Sequence, residues 1–228
     1  MCAFFFNKAN KADRQPKRPA DVLARYGCVA CPLNAAKIDS PKMGPSLPSI
    51  CHVLFVGEAP DEDEDQEGKP FVGPSGKLLR ECIPRGYESY CGFDNVINCS
   101  IDHDPTPHEV SCCSPRRVKV VEQAKPKLIV GIGRFALHWA LNSNDLQGLR
   151  GRLFVVKIGT HTCHFMATYH PSFVLRTAFN KSKPLTSRFG HCLRMDIQTA
   201  CHAAQDLDPP EIPTPDEIRS NVTCFNGR

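Results

Sequence analysis

Long apolar runs are missing from this 228-residue chain. None reaches the ~18 residues that a membrane span requires. Phe4-Phe5-Phe6 is too short for a signal-peptide core and is followed by charge and proline, so the expected setting is soluble and intracellular. That means the cytoplasm, or a host's cytoplasm if the source is viral. No internal repeat is visible, which excludes a stacked-repeat architecture. A large excess of one charge is lacking too: 28 Lys plus Arg stand against 24 Asp plus Glu. Global charge therefore makes no case for nucleic acid. The acids are concentrated at Asp61–Glu67 and Glu211–Glu217, which leaves the remainder more basic than the total suggests.

What is present can build one good core, since 41% of the residues are apolar. The expected organisation is a basic flexible arm over 1–18, a globular domain over 19–205 and a Pro-rich, acidic tail over 206–228. The 13 cysteines are many for such a chain, and in a reducing compartment they form no disulfide framework. Cys51, Cys82, Cys163, Cys192 and Cys201 fall in apolar or helical patterns and read as core fillers.

A short helix is expected from Pro19 to Tyr26. Five strands are expected: Val53–Val56, Asp94–Cys99, Lys127–Ile132, Leu153–Lys157 and Cys163–Thr168. Helices are expected from Ser75, as N-cap, to about Arg80, from Pro107 to near Gln123, over Arg134–Leu141 with the only Trp, Trp139, and over Arg188–Gln205. Strands alternating with helices predict an α/β fold with a mainly parallel sheet covered on both faces.

Open α/β sheets bind ligands outside the carboxyl ends of their strands. The first strand breaks there at Gly57 and runs into Glu58, Asp61, Glu62, Asp63, Glu64 and Asp65. An arbitrary acid run is usually a solvated loop, but Glu58 follows directly on a buried strand and is therefore fixed. Phe71, between two Gly-containing turns, is read as a loop platform for a flat ring. His170 emerges at the same edge from the last strand. It is either a structural strand-end histidine or a site residue. Beyond it, Ser172 and Arg176 could hold phosphates, and Phe173-Val174-Leu175 could form an apolar wedge between bases or simply face the core. Cys28-x-x-Cys31 has chelating spacing, with Cys99 and Cys112 or Cys113 as single partners. Spacing leaves an iron–sulfur cluster, zinc and no metal all open.

Together these motifs carry a resemblance. Gly57-Glu58-Ala59-Pro60 with Gly68-Lys69-Pro70-Phe71-Val72-Gly73 resembles the first motif of the iron–sulfur (family 4 type) uracil-DNA glycosylases. Tyr169-His170-Pro171-Ser172-Phe173-Val174-Leu175-Arg176 resembles the second. Cys28-Val-Ala-Cys31-Pro-Leu, Asn95-Val-Ile-Asn-Cys99 and Cys113 are similar to the cluster ligands and base-reading Asn. The resemblance spans about residues 19–205 in order.

It implies a three-layer α/β/α sandwich around a mostly parallel four-stranded sheet, and a monofunctional hydrolase that flips uracil from DNA and breaks its N-glycosidic bond, initiating base-excision repair. Glu58 would hold the attacking water and His170 would donate to uracil O2. Phe71 would stack on the base, Asn95 would pair with its O4/N3 edge, Glu64 would lie beside C5 and the Ala59 backbone would contact the ring. Ser75, Ser172, Leu175 and Arg176 would touch DNA. Cys28, Cys31, Cys99 and Cys113 would bind a 4Fe-4S cluster. The implied partner is uracil-containing DNA, with a polymerase or another repair protein as a second, and the protein is expected to act as a monomer.

Two departures stand out. Asp61 replaces a Gly after the Pro of the first motif, and strain would follow if the loop needs positive φ there. Asp102-His103-Asp104 replaces a basic, Pro-rich stretch. The alternative reading is a catalytically weak glycosylase-fold DNA-binding or polymerase-accessory module, and a third is a zinc-stabilised nucleotide-binding protein.

Overall fold

The computed structural model describes residues 28–35 and 43–210; the expected arm, the helix at Pro19–Tyr26 and the tail beyond 210 lie outside them. The chain forms β1 (Val53–Gly57), α1 (Glu62–Glu67), α2 (Pro74–Cys82), β2 (Cys91–Asn95), α3 (Pro107–Ala124), β3 (Leu128–Ile132) and α4 (Arg134–Leu141). It continues through α5 (Leu146–Leu149), β4 (Phe154–Ile158), β5 (His161–Thr168), α6 (Pro171–Thr177) and α7 (Arg188–Asp206). Among the described residues no helix is long and apolar enough to cross a membrane.

The sheet order is β2-β1-β3-β5-β4. β2, β1, β3 and β5 are mutually parallel, and β4 adds antiparallel to β5 at the edge. The four-stranded sheet implied by the resemblance is thus the parallel part of a five-stranded one. The fifth strand is the Leu153–Lys157 segment legible in the sequence, shifted by one residue.

Every residue of β1, β2 and β3 is buried, because a parallel sheet is covered on both faces. Alternate side chains divide between two cores. Val53, Phe55, Val130 and Met166 pack with Leu79 of α2, Val174 of α6 and Leu193 and Ile197 of α7. Leu54, Val56, Ile129 and Phe165 pack with Val120 and Val121 of α3 and Leu137 of α4. These layers make the α/β/α sandwich.

Of the cysteines read as core fillers, Cys51, Cys82, Cys163 and Cys201 are buried and Cys192 is half-buried. Burial pushes the Cys51, Cys82 and Cys163 thiols up to about 12, so they are inert at neutral pH.

Candidate active site at the carboxyl edge of the sheet

β1 leads to β2 on one side and the chain then returns to β3 on the other, so the topological switch lies at the β1/β3 edge. The strand ends are in register there, Gly57 opposite Asn95 and Ile132 opposite Thr168. The residues at and just beyond these ends, Glu58, Asn95, Gly133 and His170, line one cleft of about 530 Å³. Ala59, Glu64, Phe71 and Ser75 line it from the segment after β1.

The acid run is a helix, α1, and not the loop expected from the sequence. Asp61 is its N-cap: its carboxylate accepts from Glu64 N at 2.9 Å, and Glu64 Oε2 accepts from Asp61 N at 3.1 Å. This capping box satisfies two donors that a helix start leaves free. Asp61 has φ −82°, so the strain expected from replacing Gly is absent.

Glu64 does more than cap. Its other oxygen accepts from Phe71 N at 2.5 Å, and Arg80 Nε donates to Phe71 O at 3.1 Å. Phe71 is thereby held at φ 59°, in the left-handed region that a bulky residue occupies only when its surroundings impose it. Burial, with the Asp61 carboxylate second, lifts the Glu64 carboxyl to about 7. Phe71 is also 3% exposed and packs on Phe93, with ring centroids 5.7 Å apart. It packs as a core aromatic, which the sequence reading holds to be unusual between two Gly-containing turns, and it also lines the cleft.

Gly57 explains how Phe71 and Asn95 come so close. A Cβ there would fall 2.3 Å from Asn95 Oδ1 and 2.7 Å from Phe71 Cζ. Asn95 is 2% exposed, and its buried Nδ2 faces no backbone acceptor among the described residues; its side chain lies within reach of the Glu64 carboxylate. Its placement in a cleft wall suits an acceptor brought by a ligand.

His170 is the N-cap of α6, and its Nδ1 accepts from Ser172 N at 3.1 Å. A backbone N–H can only donate, so Nδ1 carries the lone pair and the neutral ring bears its proton on Nε2. Burial, with Arg176 second, lowers the imidazole to about 4, which keeps it neutral at physiological pH. Gly133, at φ 87°, lets the ring lie close: a Cβ there would meet His170 Cβ at 3.2 Å.

Glu58 is half-buried, and its carboxyl is raised by burial and by Asp104, against the lowering influence of Arg134 and Arg176. Arg134 pairs with Asp104 at 2.6 Å, and both line the cleft. These two were missed in the sequence. Arg134 was findable, since it follows the end of β3 as Glu58 follows β1.

Ser172 and Arg176 line the cleft, with Arg176 Nη1 donating to Ser172 Oγ at 3.2 Å. The wedge segment is divided. Val174 is fully buried, Phe173 packs between Tyr169 and Phe189, and Leu175 is half-buried against the same core.

The family model of the uracil DNA glycosylase superfamily matches residues 47–191, which contain every residue of this cleft. The chain belongs to the uracil-DNA glycosylase superfamily. Among curated members, the type-4 uracil-DNA glycosylase of Archaeoglobus fulgidus is 36% identical over 160 residues, covering 65% of this chain and 78% of that one. That of Thermotoga maritima is 30% identical over 166 residues, covering 68% and 81%. The Sulfurisphaera tokodaii enzyme of the same name is 36% identical over 133 residues, covering 54% and 60%, so this chain spans under two thirds of its length.

In this glycosylase-superfamily chain three of the candidate metal ligands, Cys31, Cys99 and Cys113, belong to or border the second core. Cys28 and Cys31 sit at consecutive 3-10 turns, Cys28–Ala30 and Pro32–Ala35, which pack on the start of α3; His108 there lies 3.2 Å from Ala30 O. Cys31 shares a hydrogen bond with Cys112 and lies within the electrostatic reach of Cys113. Cys99 belongs to the same apolar cluster, with Cys31 and Cys113 packed against it. Among the described residues no three His, Cys, Asp or Glu side chains stand close enough to hold one metal ion. The donor set is all thiol; Cys99 is buried and Cys31 and Cys113 half-buried against apolar side chains, while Cys28 is exposed. That chemistry fits an iron–sulfur cluster, in which irons and sulfides intervene between the thiolates and hold them further apart than a single ion does.

Proposed function

We propose that this protein excises uracil from DNA by hydrolysing the N-glycosidic bond. The observation that carries this reading is the buried Asn95 amide, oriented beside Glu64 in the wall of a cleft shared with Phe71, Glu58 and a neutral His170. A uracil seated there accepts at O4 from Asn95 Nδ2 and donates N3–H to Asn95 Oδ1. Phe71 supplies an aromatic surface. Glu64, fixed by the amides of Asp61 and Phe71, stands beside C5, where a rigid wall disfavours thymine's methyl.

His170 donates Nε2–H to O2. As the glycosidic bond breaks, the base gathers negative charge and the sugar becomes oxocarbenium-like. A donor already oriented by Ser172 stabilises that transition state more than the ground state. Glu58 holds the water that completes the hydrolysis. The base must first leave the stack, and Ser75, Ser172, Leu175 and Arg176 are the DNA contacts that would support the flipped nucleotide. Among the described residues the cleft lining includes no lysine to form a Schiff base, which supports a reaction that stops at an abasic site.

Cys28, Cys31, Cys99 and Cys113 would hold a 4Fe-4S cluster. Bound there it ties the 28–35 segment to the end of β2 and to α3, a structural role. The rival reading, a weakened DNA-binding module, rests on Asp61 and the acidic loop, and a helix cap with the short helix that follows it gives no reason to expect weakened catalysis.

The test is excision. Purified protein is incubated with uracil-containing single- and double-stranded oligonucleotides, followed by alkali. Strand cleavage at uracil is expected; an intact strand that the protein nonetheless binds would establish the rival.

A further inference from the structure

Arg117 is the largest fully buried side chain among the described residues, 1% exposed in the middle of α3. Nη1 donates to Val96 O and Nη2 donates to Val110 O at 3.0 Å, while Nε is buried with no hydrogen-bond partner among the described residues. The guanidinium lies 5.3 Å from the Trp139 ring centroid. A guanidinium remains cationic at any pH a folded protein meets. A buried charge is expected to have an opposite charge beside it.

One carboxylate, Asp94, favours the Arg117 charge second to Cys113, but its direct bonds go elsewhere. Asp94 is held by both Nη atoms of Arg116, at 2.8 and 3.2 Å, and Arg116 itself opposes the Arg117 charge. Among the described residues Arg117 forms no ion pair with Asp or Glu. Burial is the main influence disfavouring its charge, and the group that favours it most is Cys113, one helical turn earlier. A free thiol is neutral at pH 7 and offers little. A thiol bound to iron is a thiolate.

We infer that Arg117 is the buried counter-charge of the Cys113 thiolate in the cluster-bearing protein, a positioning residue that steadies the cluster and sets its potential. The inference rests on the cluster reading above. It accounts for a cation that two carbonyls and an indole face only partly satisfy. It also means that loss of iron leaves an uncompensated charge inside α3, so that cluster and helix stand or fall together. Finally, it prefers Cys113 over Cys112 as the ligand, since Cys113, four residues before Arg117, lies on the same face of α3.

The full chain is purified anaerobically as wild type, Arg117→Met and Arg117→Lys. Iron and sulfide content, midpoint potential by spectroelectrochemistry, and Tm before and after iron is stripped by a chelator are measured. A nearby cation favours the reduced, more negative cluster. R117M should therefore show a more negative midpoint and retain iron about 10-fold less well, as when outer-shell partners of metals are removed. R117K should stay near wild type in both. Stripping iron should lower the wild-type Tm more than that of R117M, which has no charge to strand. Unchanged potential and iron retention in R117M overturn the inference, as does R117K shifting as far as R117M. If R117M does not fold, folding of R117K with its iron supports the charge, and failure of R117K as well assigns Arg117 to packing. A wild type without iron and sulfide overturns the cluster reading itself, a result distinguishable from a loaded protein indifferent to R117M.

Discussion

Gly57 and Asn95 are register partners at the ends of neighbouring parallel strands, so close that a Cβ on the glycine would sit 2.3 Å from the amide oxygen. Gly57→Ala must push Asn95 or Phe71 from the cleft wall. It is expected to cost about 1–3 kcal/mol, as overpacking of a core does. Uracil excision should fall further than stability does, read as kcat/KM on a uracil oligonucleotide beside a thermal melt. A variant with normal kcat/KM would place the base-reading group elsewhere.

His170→Ala should lower the excision rate by about 10²–10³, the loss seen when one oriented donor is taken from a developing oxyanion. Asn95→Ala should also lose most activity, and circular dichroism should show both folded. Wild-type rates in both variants would mean that the cleft is not the site.

Two perturbed groups of the cleft, His170 and Glu64, give opposite pH signatures. His170 falls from 6.5 to about 4, so between those values the unfolded chain binds more protons and stability is lost as pH drops. Glu64 rises from 4.5 to about 7, so over that window the folded state holds the extra proton and stability is lost as pH climbs. Melting curves from pH 4 to 8 should show H170A losing the first dependence and Glu64→Gln the second. Parallel curves for wild type and both variants would refute the assignment.

Asp61→Ala removes the cap of α1 and should cost about 0.5–2 kcal/mol in chemical denaturation. Excision at a temperature where the variant stays folded should remain within several-fold of wild type. A collapse of activity there would give Asp61 a role in the chemistry that its capping geometry does not require.

Cys28→Ala should lower iron content and the visible absorbance together, along with solubility. Full iron content in this variant would exclude Cys28 from the ligand set.

Much of the sheet was legible because β1, β3 and β5 are short apolar runs ended by Gly57, Gly133 or a Tyr-His-Pro turn. β2 was harder. Its residues Cys91–Asn95 include a Gly and an Asp, so the apolar Val96-Ile97 drew the expected strand several residues late. The acid run concealed α1, since five carboxylates argue against a helix until Asp61 and Glu64 are seen to bond each other's backbones. α2 is capped by Gly73 and not by Ser75, because Pro74, which lacks an N–H, takes the first turn. The Asp104–Arg134 pair spans thirty residues, and no local pattern announces it.

The cleft draws on the ends of β1, β2, β3 and β5, spread from residue 57 to residue 168. No fragment of the chain can therefore hold a rudimentary version of it: stop before β5 and the imidazole is missing; start after β1 and the amide has no neighbour. Base recognition is consequently a late event in folding. If the chain were split in the loop after α4, each half would be silent alone and signal only on reunion.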